Sequence, residues 1–192
     1  MFIDTHAHLN DNRYKNVEEI INNLKTNNIS HVFCVGYDEE SCKKAIELSN
    51  AHENIYAIIG MHPHDAKGFN LSFENFLTEN SKNPKVIAIG EIGLDYFYNK
   101  NHEEQIEVFT KQIKLADSLG LPIVIHLRSA ADDLIKVLND NAQYINKGGI
   151  VHCYSDSLDV YNALKKFGFK FAFGGMITFI KSVEDVARNI PL

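Results

Sequence analysis

Two histidines spaced two residues apart, His6 and His8, close the opening apolar run Phe2-Ile3-Asp4-Thr5. In a strand, alternate side chains share a face, so both imidazoles point the same way. Two imidazoles on one face at a strand end hold one metal ion without strain. The pattern of an apolar strand running into a ligand-type residue then recurs. Residues 55–60 end in Met61-His62-Pro63-His64, residues 86–90 in Glu91, residues 123–125 in His126, and residues 149–151 in His152. His6, His8, Glu91, His126 and His152 make a set of four imidazoles and one carboxylate, suited to zinc, manganese or nickel and workable for magnesium. One carboxylate has two oxygens and can bridge two ions, with His6 and His8 on one, His126 and His152 on the other, and Glu91 shared. Paired ions lower the pKa of bound water and clamp the attacking and leaving oxygens of a displacement, so hydrolysis is the predicted reaction class.

These residues need a scaffold that brings distant strand ends together. Short apolar runs at 2–8, 31–36, 55–60, 86–90, 123–125, 149–151 and 169–175 read as seven strands. Helical spacing lies between them: Val17, Ile20, Ile21 and Leu24; Cys42, Ala45 and Ile46; Phe73, Phe76 and Leu77; Ile106, Phe109, Ile113 and Leu115, stopping at Gly120. It continues with Leu134, Ile135, Val137 and Leu138, then Val160, Leu164 and Phe167, and a last short helix at 182–189. Such alternation implies right-handed crossovers and a parallel sheet with helices outside. A doubly wound open sheet would carry a Gly-rich phosphate loop, and nothing here resembles one. A closed (β/α)8 barrel gathers the C-terminal ends of its strands at one mouth, where the ligand-type residues of strands one, three, four, five and six would meet. The predicted fold class is therefore α/β, a TIM-type (β/α) barrel.

Composition narrows the function classes. With 192 residues, 45% hydrophobic and 23% charged, one core is expected, a single domain over residues 1–192. A formal net charge of −6 excludes a broad basic surface for non-specific nucleic-acid binding, though not a nucleic-acid substrate held by metal and a few local donors. Cys34, Cys42 and Cys153 are widely spaced, without a CxxC pair, as for reduced thiols. The first strand begins at residue 2 with no room for a leader, and no apolar run approaches membrane-spanning length, so a cytoplasmic chain without a membrane partner is expected.

The motifs, taken in order, resemble those of the TatD family of metal-dependent deoxyribonucleases, within the amidohydrolase-like barrels. Phe2-Ile3-Asp4-Thr5-His6-Ala7-His8-Leu9 is similar to its first motif, Gly60-Met61-His62-Pro63-His64 to its second, and Gly90-Glu91-Ile92-Gly93-Leu94-Asp95-Tyr96 to its third. His126-Leu127-Arg128 and His152-Cys153-Tyr154-Ser155 resemble the fourth and fifth. The resemblance implies that His6, His8, Glu91, His126 and His152 bind two divalent ions of magnesium, manganese or zinc. It also implies that the substrate is DNA, cut at phosphodiester bonds and from an end. Beside the ligands, Glu91, Arg128, His62 and His64 are the expected catalytic residues. The planar fork of Arg128 suits a substrate phosphate or, alternatively, an ion pair with Asp95. Pro63 holds its turn rigid, so His62 and His64 can donate to phosphate or organise the metal shell. Tyr96 is expected to pack, with base stacking as the other use. Cys153 is expected in the core, and His31, His52 and His102 away from the mouth.

Three departures qualify the expectation. Family members carry a further strand ending in Glu-Thr-Asp, whose aspartate binds metal and takes the proton of the attacking water. The chain is expected to be truncated before that eighth strand and to lack the C-terminal strand–helix unit, and losing a catalytic base typically costs about 10²- to 10⁴-fold. In addition, Asp156 replaces a usual glycine, and Phe179-Ile180-Lys181 separates the lysine from its aromatic neighbour. A metal-dependent amidohydrolase or phosphoesterase acting on a small molecule, and a metal-binding fragment without turnover, remain the alternatives.

Overall fold

Each apolar run becomes a strand in the structure, a computed structural model that describes residues 1–98 and 100–191. Leu192, the last residue of the predicted domain, and Asn99 lie outside the described residues. The strands β1 (Phe2–Ala7), β2 (Ile29–Val35), β3 (Ile55–Ile59), β4 (Val86–Asp95), β5 (Ile123–Arg128), β6 (Gly149–Val151) and β7 (Phe169–Phe171) pair in sequence order, all parallel. Between and after them run α1 (Val17–Asn23), α2 (Glu39–Ala51), α3 (Leu71–Asn80), α4 (His102–Leu119), α5 (Ala131–Asp140), α6 (Leu158–Leu164) and α7 (Lys181–Asn189). Parallel neighbours taken strictly in order require each crossover to go the same way. All helices then cover one face, and the twisted sheet curls away from them into an open TIM-type barrel. No helix among the described residues is long and apolar enough to cross a membrane.

The core separates into two layers. Cys42 and Ala45 of α2, Phe73 and Leu77 of α3, Phe109 and Ile113 of α4, and Leu134 and Leu138 of α5 pack with Ile59, Ile89 and Ile125 between helices and sheet. Val35, Ile58, Ala88 and Val124, one from each of β2 to β5, form a second cluster with no helical member, which fills the concave side. Helix starts follow their polar caps: the Asn16, Asp38, Asn70 and Ser157 side chains accept from the backbone N–H groups of Glu19, Ser41, Phe73 and Val160.

Three strands differ in length from expectation by three residues or more; one is β5, which runs to Arg128 instead of stopping at residue 125, so His126 lies within it. β4 runs on to Asp95, so Glu91 lies inside a ladder rather than at its end. Gly93 permits this: its φ is +142°, and a Cβ there would stand 2.0 Å from the His126 carbonyl oxygen, so only glycine lets β4 and β5 approach. β7 stops at Phe171 instead of reaching residue 175, because its partner β6 ends at Val151, directly opposite. Among the described residues β7 is not paired to β1, and β1 begins with Phe2 and Ile3 exposed.

Candidate metal centre

Glu91 is the centre of the site. Its carboxylate is almost fully buried, and its two oxygens face different groups of imidazoles. Oε2 lies 3.2 Å from His6 Nε2 and 3.6 Å from His8 Nε2. Oε1 lies 2.7 Å from His126 Nδ1, 2.5 Å from His152 Nε2 and 3.6 Å from His62 Nε2. Donor atoms within 4.8 Å of one another form two groups that share this residue: His6, His8 and Glu91, and His62, Glu91 and His126. All five ligand candidates from the sequence are therefore brought together. His62, expected to contact substrate or shell, stands among the donors as well.

The electrostatics suit a cation. Burial pushes the Glu91 carboxyl up, but the charge of His152 and hydrogen bonds from His126, His152 and His6 outweigh it and hold the group well below the usual carboxylate range. Burial also drives the His6 and His8 imidazoles below their ordinary value against the pull of Glu91, and drives His62 down to about 3. Neutral imidazole is the ligating form. His8 has its tautomer set: Nδ1–H donates to the Val35 carbonyl at 2.9 Å, leaving the Nε2 lone pair free. That atom sits 3.3 Å from His6 Nε2. Among the described residues His6 Nδ1 is buried without a hydrogen-bond partner, and this ring stacks on His152, with centroids 3.8 Å apart and planes 6° from parallel. Electron-rich atoms converging on both sides of one ionised, buried carboxylate fit divalent metal.

Asp95 organises the outer side, and the sequence offered it only as an ion-pair partner for Arg128. Its Oδ2 accepts from His126 Nε2–H at 3.0 Å and stands 3.0 Å from His64 Nε2. Its Oδ1 accepts from the backbone N–H groups of Phe97 and Tyr98. Burial raises the Asp95 carboxyl, but His126 and those amides bring it below its ordinary value. For His126 burial opposes charge, yet the bonds to Glu91 and Asp95 raise it. With Nε2–H committed to Asp95, His126 presents Nδ1 to Glu91, the carboxylate–histidine arrangement that orients metal ligands.

Two glutamines one helical heptad apart on α4 hold the loops in place. Gln112 accepts from the Met61 N–H at 2.8 Å and donates to the Met61 carbonyl at 3.0 Å, fixing the segment that carries His62 and His64. Gln105 does the same for Asp95, at 2.8 and 2.9 Å. Both side chains are buried. A polar residue among the apolar positions of an amphipathic helix is the only sign of them in the sequence.

The remaining expectations divide. Arg128 does not pair with Asp95; its guanidinium lies 4.1 Å from the Phe97 ring centre and 4.6 Å from that of Tyr98. Tyr96 packs, its ring stacked on His102 and its hydroxyl donating to Asp133. Cys153 is exposed, contrary to expectation, because the chain leaves the extended conformation there with φ +47° and the strand alternation stops applying. His52 bonds to Glu18 and His31 lies near Tyr56, both outside the site.

Known proteins share this architecture. A family model described as TatD related DNase matches residues 3–192. The uncharacterized metal-dependent hydrolase YabD of Bacillus subtilis (strain 168) is 39% identical over 196 residues, which cover 100% of this chain and 76% of that protein. Among solved structures, the TatD homologue YjjV from Escherichia coli K12 superposes with a TM-score of 0.90 at 28% identity, covering 99% of this chain and 75% of YjjV. A TatD family hydrolase from Entamoeba histolytica gives 0.86 at 26% identity, covering 99% and 70%.

Proposed function

Since the chain belongs to the TatD-related DNase family, we propose that it is a metal-dependent hydrolase that cleaves DNA phosphodiester bonds from a strand end. The observation that carries this reading is that one buried carboxylate, Glu91, meets imidazoles on both oxygens. His6, His8 and Glu91 Oε2 would hold one divalent ion. His126, His152 and Glu91 Oε1 would hold a second, with His62 as an additional donor. Magnesium, manganese and zinc are all compatible with the mixed donors. Ions so held supply water of lowered pKa and positive charge for the oxygens of a phosphodiester under displacement.

The chain's own residues do the rest. Glu91 stays ionised and so favours cations on both sides of it. Asp95 fixes the ring of His126, which sets where its remaining nitrogen points, and lies against His64 Nε2. Arg128 presents a planar fork of donors to a phosphate at the mouth. The hydrolase domain spans residues 1–192.

Incubating the chain with 3′-tailed DNA and magnesium or manganese tests the reading, with bound metal measured in parallel. Nucleotide release is expected, and Glu91→Ala should reduce it by about 10²-fold or more while losing metal, as removal of a shared ligand implies. Equal release by parent and variant would overturn the site assignment. No release by a metal-loaded parent would overturn the nuclease reading and leave a metal-binding domain.

A further inference from the structure

Past the end of β4 the chain exposes two adjacent rings, Phe97 at 59% and Tyr98 at 67% of their full areas. Their centroids are 4.7 Å apart and their planes stand at 86°, with the Arg128 guanidinium in the angle between them. Among the described residues no carboxylate pairs with that guanidinium, so its N–H groups are available to an anion. The Tyr98 ring edge lies against His64, 5.6 Å between centroids, and His64 Nε2 stands 3.0 Å from the Asp95 carboxylate. The same Asp95 carboxylate accepts from the backbone N–H groups of Phe97 and Tyr98, so one group positions both this turn and the His126 ligand. Beside the rings opens a cavity of about 650 Å³, whose lining includes Phe97, Arg128, Ser129, Ser155, Asp156 and Ser182. That volume suits a nucleotide-sized ligand.

We propose that Phe97 and Tyr98, with Arg128 between them, form a subsite that stacks an unpaired base of the nucleic-acid strand next to the phosphate being cleaved and grips the neighbouring phosphate. The position of the strand across the mouth rests on the nuclease reading; the binding chemistry of the subsite does not. Two adjacent, largely exposed rings mark a recognition surface rather than a core remnant. An aromatic ring stacks on any base, and guanidinium pairs with phosphate as a fork. The overall charge of −6 gives no long-range attraction for a polyanion, so local contacts of this kind must supply the affinity. Among the described residues Asp156 is the one acid in the lining, and the serine hydroxyls offer donors to sugar and phosphate oxygens.

Fluorescence anisotropy with a labelled oligothymidylate, an abasic strand of equal length and the corresponding duplex tests the subsite on the full chain. The parent is expected to bind the oligothymidylate more tightly than either other probe. The Phe97→Leu/Tyr98→Leu double variant should lose roughly 5- to 100-fold for the oligothymidylate, the scale of stacking losses, and almost nothing for the abasic strand. Both side chains are exposed, so thermal melting of the variant should match the parent. Equal affinities in parent and variant, equal losses on both strands, or no binding by the parent would overturn the subsite. DNA degradation measured on the same samples separates the two ideas. Cleavage without aromatic dependence removes the subsite alone, and aromatic-dependent binding without cleavage removes the nuclease reading alone.

Discussion

Glu91 meets imidazoles on both of its oxygens, and burial favours the neutral form of three of them, His6, His8 and His62. That arrangement has a pH signature in the metal-free protein. Burial lowers His6, His8 and His62, the last to about 3, so below the ordinary value of 6.5 the unfolded chain takes up protons that the folded chain refuses. Their contribution is therefore complete above pH 6.5 and is lost as pH falls toward about 3. Glu91, held low, adds a loss of the same sign below its unfolded value, while His126, held high, opposes it. The unfolding free energy of the metal-free protein, from urea titrations, should fall as pH drops from 6.5 to 4, by at most about 1.4 kcal/mol per pH unit for each histidine. His62→Gln should flatten that slope, and an unchanged slope would contradict the burial assigned to this ring. The ligand candidates were legible one by one because strand periodicity and residue type point to them directly. Asp95 was not, because its role depends on receiving His64 and His126 from two other segments.

Helix α4 and strand β4 show what individual elements must do to make such a site. Gln112 satisfies both backbone groups of Met61, and Gln105 both those of Asp95. Gln112→Leu would leave a buried N–H and a buried carbonyl unpaired, an expected loss of roughly 2–4 kcal/mol in chemical denaturation. It should also weaken metal binding, because His62 sits next to the freed segment. Retained stability would mean that Met61 finds other partners. Gly93→Ala should be worse tolerated: positive φ and a Cβ driven onto the His126 carbonyl together cost roughly 2–5 kcal/mol, seen as insoluble protein or a depressed melting temperature. Helix positions and caps were readable from spacing and from Asn16, Asp38, Asn70 and Ser157. Strand ends were less so, since β4 continues only because β5 lies alongside it and β7 stops where β6 does.

At the scale of the whole molecule, the curl of the sheet makes the strands unequal. β3, β4 and β5 have a strand on either side and helices behind, whereas β1 and β7 border the seam. Amide exchange should accordingly be slowest in β3 to β5 and faster by orders of magnitude in β1, whose first residues are exposed. Equal protection of β1 and β4 would show that the seam is closed in solution. The amino-acid sequence alone determined the alternation of strands and helices, the fold class that follows from it, and which residues carry metal-ligand chemistry close after each apolar run, because these depend on local periodicity and side-chain chemistry. Only the tertiary structure decided that the two Glu91 oxygens divide the histidines between them, that His62 joins the donors, that Cys153 turns outward and that Arg128 lies between two rings. Each of those outcomes is set by contacts between segments far apart in the chain, and spacing along one segment carries no information about the partner it will meet.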